Sequence, residues 1–348
     1  MSELQPVRVG ITWDLKQLDN ALPQRFVRYR HVVCEFIEGQ GHTVTPQRIA
    51  PYDAVIALQT QFTRASLVGA ERLAVISRWG VGYDMIDLAA CTANDVAVCI
   101  TPDAVRRPVA EGVVCFMLAL YKQLLVKDRL VRSGRWQEKP RFVGRCLARR
   151  VVGSVGVGNI GAEVLRLLRV FDPARLLAYD PYATPQQWPG PHVERVDLDT
   201  LLRESDLVTI NCPLTPETYR LVGGRELALM KPTAVLVNTS RGAVIDQAAL
   251  IKALQAGSIA GAGLDVFEEE PIAPDHPLAS MENVILAPHA IAWTEELIRD
   301  NGIGACENVL SVLRGELPGN VVNCEVLRCP GFRAKLKELG RRWRANTT

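Results

Sequence analysis

Nine cysteines are present, yet none stands in a C-x-x-C pair and no Cys/His group has the spacing of a metal site. An odd, unpatterned count in a chain of 348 residues reads as reduced thiols, not a disulfide framework or a zinc centre. Charge of one sign is equally scarce. Forty basic against 38 acidic side chains leave a formal charge of +2, too little to draw in nucleic acid or an anionic membrane. The longest apolar run, 113–121, stops at Lys122, well short of the ~20 residues that a membrane-spanning helix needs. Met1 to Pro6 contain neither a basic nor an apolar leader region, so a cytoplasmic location is expected. Fixed-period repeats and low-complexity tracts are also missing.

What is present has the balance of a globular protein, with 48% hydrophobic and 22% charged residues. The length predicts two domains. Residues 7–13, 53–58, 73–77 and 96–100 read as strands, and 25–40 carries helical spacing. A long helix over 108–133 opens a second series, with strands at 151–157, 175–179, 206–212, 234–239, 259–266 and 283–287. Nearly continuous apolar strands separated by helices imply parallel sheets covered on both faces. The predicted fold is α/β, with two doubly wound parallel-sheet domains and a cleft between them. The helical stretch 294–314 has no sheet left to complete in the second series, so the chain is expected to cross back to the first domain. The closing stretch 332–344 is basic and weakly amphipathic and reads as a solvated terminal helix.

One motif carries chemistry directly. The strand ending at Val155 runs into Gly156-Val157-Gly158-Asn159-Ile160-Gly161 and then a helical segment. Gly156 suits a tight turn, Gly158 lets backbone approach a pyrophosphate, and Gly161 lets helix and strand pack closely. The helix start, at Asn159 and Ile160, presents free N–H groups and a positive dipole end to phosphates. The next strand ends at Tyr179, followed by Asp180, 24 positions after Gly156. A carboxylate there accepts bonds from ribose hydroxyls and repels a 2′-phosphate, which favours NAD over NADP.

Further motifs converge on one family. Asn238-Thr239-Ser240-Arg241-Gly242, running to Asp246, resembles the NxxRGxxxD signature of the D-isomer-specific 2-hydroxyacid dehydrogenases. Asp265-Val266-Phe267-Glu268-Glu269-Glu270-Pro271 is similar to the family's DVFxxEP segment, and Pro288-His289 to its TPH segment. Gly80-Val81-Gly82-Tyr83-Asp84 resembles its GxGxD turn, Val109-Ala110-Glu111 its VAE helix start, and Cys212-Pro213-Leu214-Thr215 its PLT turn. The resemblance runs in order from about residue 50 to 325. It implies two Rossmann-like lobes: an outer substrate lobe of 1–101 plus 290–325, and an NAD-binding lobe of 102–289, with 326–348 as a tail. It also implies a homodimer through the cofactor lobes. Cys212, Pro213, Thr239 and Asp265 fall on the cofactor side, Asp265 at the nicotinamide.

Hydride transfer to a 2-oxo acid needs a group to hold the carboxylate, one to polarise the carbonyl, and an acid for its oxygen. Arg241 suits the first two, since a guanidinium fork engages both oxygens together. His289 ends an apolar strand and suits the third, because imidazole changes charge near neutral pH. The other four histidines, at 31, 42, 192 and 276, fit structural roles. Glu270 matches the family position for the carboxylate that orients His289, whereas Glu268 and Glu269 read as an exposed acidic turn. On the outer lobe the N–H groups of Val81 and Gly82 match the family's substrate-carboxylate loop, and Arg78 adds charge nearby.

The expected substrate is a small 2-oxo or 2-hydroxy acid such as glyoxylate or hydroxypyruvate. Leu58-Gln59-Thr60 stands where phosphoglycerate dehydrogenases have Arg-Ser, and Met85 replaces the family's usual asparagine. Trp293 is shared in kind with hydroxypyruvate/glyoxylate reductases and with an NAD-sensing corepressor. A corepressor-like NAD(H)-sensing protein, a phosphoglycerate-type enzyme and a phosphite-type enzyme are the alternatives.

Overall fold

The computed structural model describes residues 6–345. The leader reading of residues 1–5 and the last three residues of the tail fall outside that range. The chain divides into two compact units, Met1–Val105 with Thr294–Thr348, and Arg106–Trp293.

The first unit is built on β1 (Val7–Ile11), β2 (Val32–Phe36), β3 (Ala54–Ala57), β4 (Val75–Arg78) and β5 (Ala97–Cys99), in the order β2-β1-β3-β4-β5. All pairings are parallel. Every residue of β3 and β5 is buried, as a strand covered on both faces requires. The helix Glu295–Leu313 packs against β3 and β4.

Two expectations fail in this unit. Residues 25–40 are not a helix: a 3₁₀ turn, Leu22–Phe26, contains Pro23 and is followed by β2. β-Branched Val32 and Val33 pair with Val7 and Arg8 of β1, and this lateral pairing overrides the helical spacing. The closing segment is a helix, Pro330–Ala345, but it is docked and not solvated. Phe332, Leu336 and Leu339 are buried, and Lys335 Nζ donates to the carbonyls of Leu73 and Asn94, both at 2.8 Å. Arg342 Nη1 meets Asp53 Oδ1 at 2.8 Å, and Arg72 meets the other oxygen of that buried carboxylate at 2.9 Å.

The second unit carries β6 (Val151–Val155), β7 (Arg175–Tyr179), β8 (Val193–Arg195), β9 (Leu207–Ile210), β10 (Val235–Asn238), β11 (Gly261–Leu264) and β12 (Val284–Leu286). Their order is β12-β11-β10-β9-β6-β7-β8, again parallel throughout. β8 has no sequence counterpart above, because a single apolar Val193 among charged neighbours gives no strand pattern. From β6 the chain proceeds outward through β7 and β8, then returns to β9 on the other side. The carboxyl ends of β6 and β9 therefore flank the point where strand order reverses, which is where such sheets bind ligands.

The predicted helix over 108–133 is two helices, Pro102–Lys122 and Leu124–Arg132, bent by 59°. Gln123 joins them at φ +52, a left-handed conformation that ends one helix before the next begins. Among the described residues no single helix is long and apolar enough to cross a membrane.

Candidate active site

The glycine turn lies at the reversal point. Gly156 has φ +96, and a Cβ there would sit 2.9 Å from the backbone of Asn211 and Cys212, which follow β9. A Cβ on Gly161 would lie 2.2 Å from the Gly156 carbonyl oxygen, so only glycine lets the helix Asn159–Leu168 start this close to β6. Gly158 differs: its φ is −59, and a Cβ there would meet nothing within 4 Å. The protein itself gives no steric reason for that glycine. A ligand brought against the backbone would supply one.

Asp180 closes the same cradle from the end of β7. Its Oδ2 accepts from the Val157 N–H (3.0 Å), and its Oδ1 accepts from the N–H groups of Tyr182 and Ala183 (both 3.0 Å). The cavity is lined by Gly158, Asn159, Ala162, Asp180, Tyr182 and Gln187; the last two were not singled out by sequence. Ile160 is half-buried in the first turn of the helix. Cys212 sits beside Gly156 with its thiol pushed up to about 11 by burial, so it is neutral near pH 7. Pro213 follows it, its carbonyl accepting from Thr218 Oγ1 at 2.6 Å. Thr239 is half-buried just past β10.

Arg241 follows β10 in a turn fixed by buried Asn238. The Asn238 side chain accepts from Ser240 N–H and donates to the Arg241 carbonyl, at 3.0 and 2.9 Å. His289 and Glu270 are in direct contact, Nδ1 to Oε2 at 2.8 Å, each side chain 33% exposed. The other Glu270 oxygen accepts from the Phe267 N–H at 3.0 Å. His289 has φ +54, a conformation uncommon for a residue with a side chain. Buried Asp265 holds it there, since its Oδ1 accepts from the next two N–H groups, Ala290 (2.9 Å) and Ile291 (3.0 Å). Burial pushes the Asp265 carboxyl up from its ordinary value, against the pull of those two donors.

Burial also raises Glu270, but the His289 bond and charge, the Phe267 N–H and the Arg241 charge together outweigh it. The Glu270 carboxyl therefore titrates below its ordinary 4.5. A depressed carboxylate contributes stability that is fully present above the unfolded value and lost as pH falls through the folded one. The melting-temperature gap between native protein and Glu270→Gln is thus expected to hold down to about pH 5 and to close only below it. Thermal unfolding from neutral to acid pH reads this. A gap already closed above that point contradicts the pairing.

On the first unit, Arg78 ends β4 and hydrogen-bonds the Trp79 carbonyl. Gly80 follows at φ +126, its N–H donating to Thr101 Oγ1 at 2.8 Å, and Val81 and Gly82 are half-buried beyond it.

A family sequence model described as D-isomer specific 2-hydroxyacid dehydrogenase, NAD binding domain, matches residues 114–290. The chain belongs to the D-isomer specific 2-hydroxyacid dehydrogenases. The matched range holds the glycine cradle, Asp180, Arg241, Glu270 and His289. Over 292 residues this dehydrogenase is 41% identical to a glyoxylate reductase of Korarchaeum cryptofilum, covering 82% of this chain and 88% of that one. It is 33% identical over 299 residues to a D-3-phosphoglycerate dehydrogenase of Archaeoglobus fulgidus, covering 86% of this chain and 56% of the relative. The crystal structure of a glyoxylate reductase from Paecilomyes thermophila superposes with a TM-score of 0.79 at 26% identity, covering 92% of this chain and 99% of that one. The protein is therefore an NAD-linked oxidoreductase of 2-hydroxy and 2-oxo acids.

Proposed function

We propose that this dehydrogenase reduces a small unphosphorylated 2-oxo acid, glyoxylate or hydroxypyruvate, with Arg241, Glu270 and His289 as its working side chains. The observation that carries this reading is the 2.8 Å bond from His289 Nδ1 to Glu270, placed after β12 at the carboxyl edge of the sheet. That bond occupies Nδ1, so Nε2 is the atom that gives the proton to the carbonyl oxygen and takes it back in oxidation. Glu270 fixes the ring and stabilises its charged form. Arg241 holds the substrate carboxylate and polarises the carbonyl. NAD, when bound, supplies the hydride chemistry. The open cradle at Gly158, the N–H groups of Asn159 and Ile160, and Asp180 fit its pyrophosphate and ribose. Cys212, Pro213 and Thr239 border the cofactor, and Asp265 serves the nicotinamide side.

Arg78, Val81 and Gly82 of the first unit are assigned to the substrate carboxylate, and that unit to substrate binding. We also infer a homodimer, supported by exposed Leu124, Leu125, Trp136 and Val143 on the second unit, a soluble cytoplasmic location, and no nucleic-acid or membrane partner.

NADH oxidation over a panel of 2-oxo acids, with no other protein present, tests the proposal. Highest kcat/KM for glyoxylate or hydroxypyruvate supports it. Preference for a phosphorylated 2-oxo acid, or no turnover at all, contradicts it. Asp180→Asn keeps an acceptor for the turn but removes the charge, so NADPH should gain on NADH by about tenfold or more in kcat/KM. An unchanged ratio removes Asp180 from the cofactor site.

A further inference from the structure

Of the acidic run before Glu270, Glu269 is exposed. Glu268 is not, with only 26% of its side chain exposed. Its backbone N–H donates to Gln247 Oε1 at 3.1 Å, and its Oε1 accepts from the Gln247 backbone N–H at 3.3 Å. Arg220 Nε lies 3.4 Å from that same oxygen. Gln247 is the first residue of the helix Gln247–Gln255, whose N-cap Asp246 accepts from Ala249 at 2.9 Å. A reciprocal pair of bonds thus staples a capped helix start to the loop that carries Glu270. One residue past Arg241 the two segments touch again. A Cβ on Gly242 would lie 1.9 Å from the Phe267 carbonyl carbon and 2.4 Å from Glu268 N.

We propose that Gln247 and Glu268 form a clamp that sets the distance between Arg241 and the Glu270–His289 pair, making both positioning residues for turnover. The clamp rests on the roles given above to Arg241, Glu270 and His289. Residues 265–270 have no helix or strand of their own beyond β11, so the guanidinium-to-imidazole spacing depends on what holds this loop. A misplacement of about 1 Å can cost on the order of 10²-fold in rate.

The test is a double-mutant cycle on the full chain. Gln247→Ala and Glu268→Ala are each expected to lower kcat by about tenfold or more while NADH affinity changes by less than about twofold. Each variant removes one bond of the reciprocal pair and leaves the other, so the double variant, which removes both, should be slower than either single. Glu268→Gln keeps an oxygen for the Gln247 N–H and should recover most of the rate. Native kcat in both alanine variants, or a double variant no slower than the slower single, overturns the clamp. Failure of the underlying assignment shows separately, as native turnover in Arg241→Ala, and takes the clamp with it.

Discussion

Replacing His289 with alanine is expected to lower kcat/KM for the best 2-oxo acid by about 10²- to 10⁴-fold, the range that a positioned acid or base contributes. NADH binding should persist, because the glycine cradle and Asp180 lie on other strands. Arg241→Ala should lose about 10²- to 10³-fold, with a share appearing in KM because the guanidinium also grips the ground-state carboxylate. Stopped-flow fluorescence of bound NADH separates cofactor binding from turnover in both. Either variant running near the native rate removes that residue from the chemistry.

The second large effect contrasts two glycines three residues apart. Gly158→Val places a side chain where the protein has open space, at backbone angles any residue adopts. The fold should be unchanged and NADH affinity should fall by about 10²-fold or more, because the branched side chain occupies the approach to the backbone. Gly161→Val drives a carbon into the Gly156 carbonyl. That forces helix and strand apart at a cost of about 3 kcal/mol, read as a melting temperature lower by roughly 6–12 °C. If Gly158→Val melts early while Gly161→Val is neutral, the assignment of packing and ligand roles is reversed.

The glycine turn was legible in sequence because each of its constraints is local, set by a turn, a helix start or a close approach within six residues. The contact of Glu270 with His289 was legible only through family resemblance, because a loop and a strand intervene and no periodicity links them. The role of Glu268 stayed hidden among three successive glutamates, since what distinguishes it is the return of Gln247, 21 residues away. Residues 25–40 misled because apolar spacing there is compatible with a helix, while pairing to β1 is non-local. The terminal helix was misread for a similar reason. Its Phe332, Leu336 and Leu339 fall on one face, but the carboxylate that anchors it, Asp53, is 289 residues from Arg342.

That anchor has a consequence for the order in which the protein is made. All seven strands of the nucleotide-binding sheet have been synthesised once residue 286 is added. The sheet made first still lacks two of its packing helices at that moment, and buried Asp53 has not yet met Arg342. The native contacts of the earlier-translated half are therefore complete only after Arg342 is added, whereas every strand of the later half is present by residue 286.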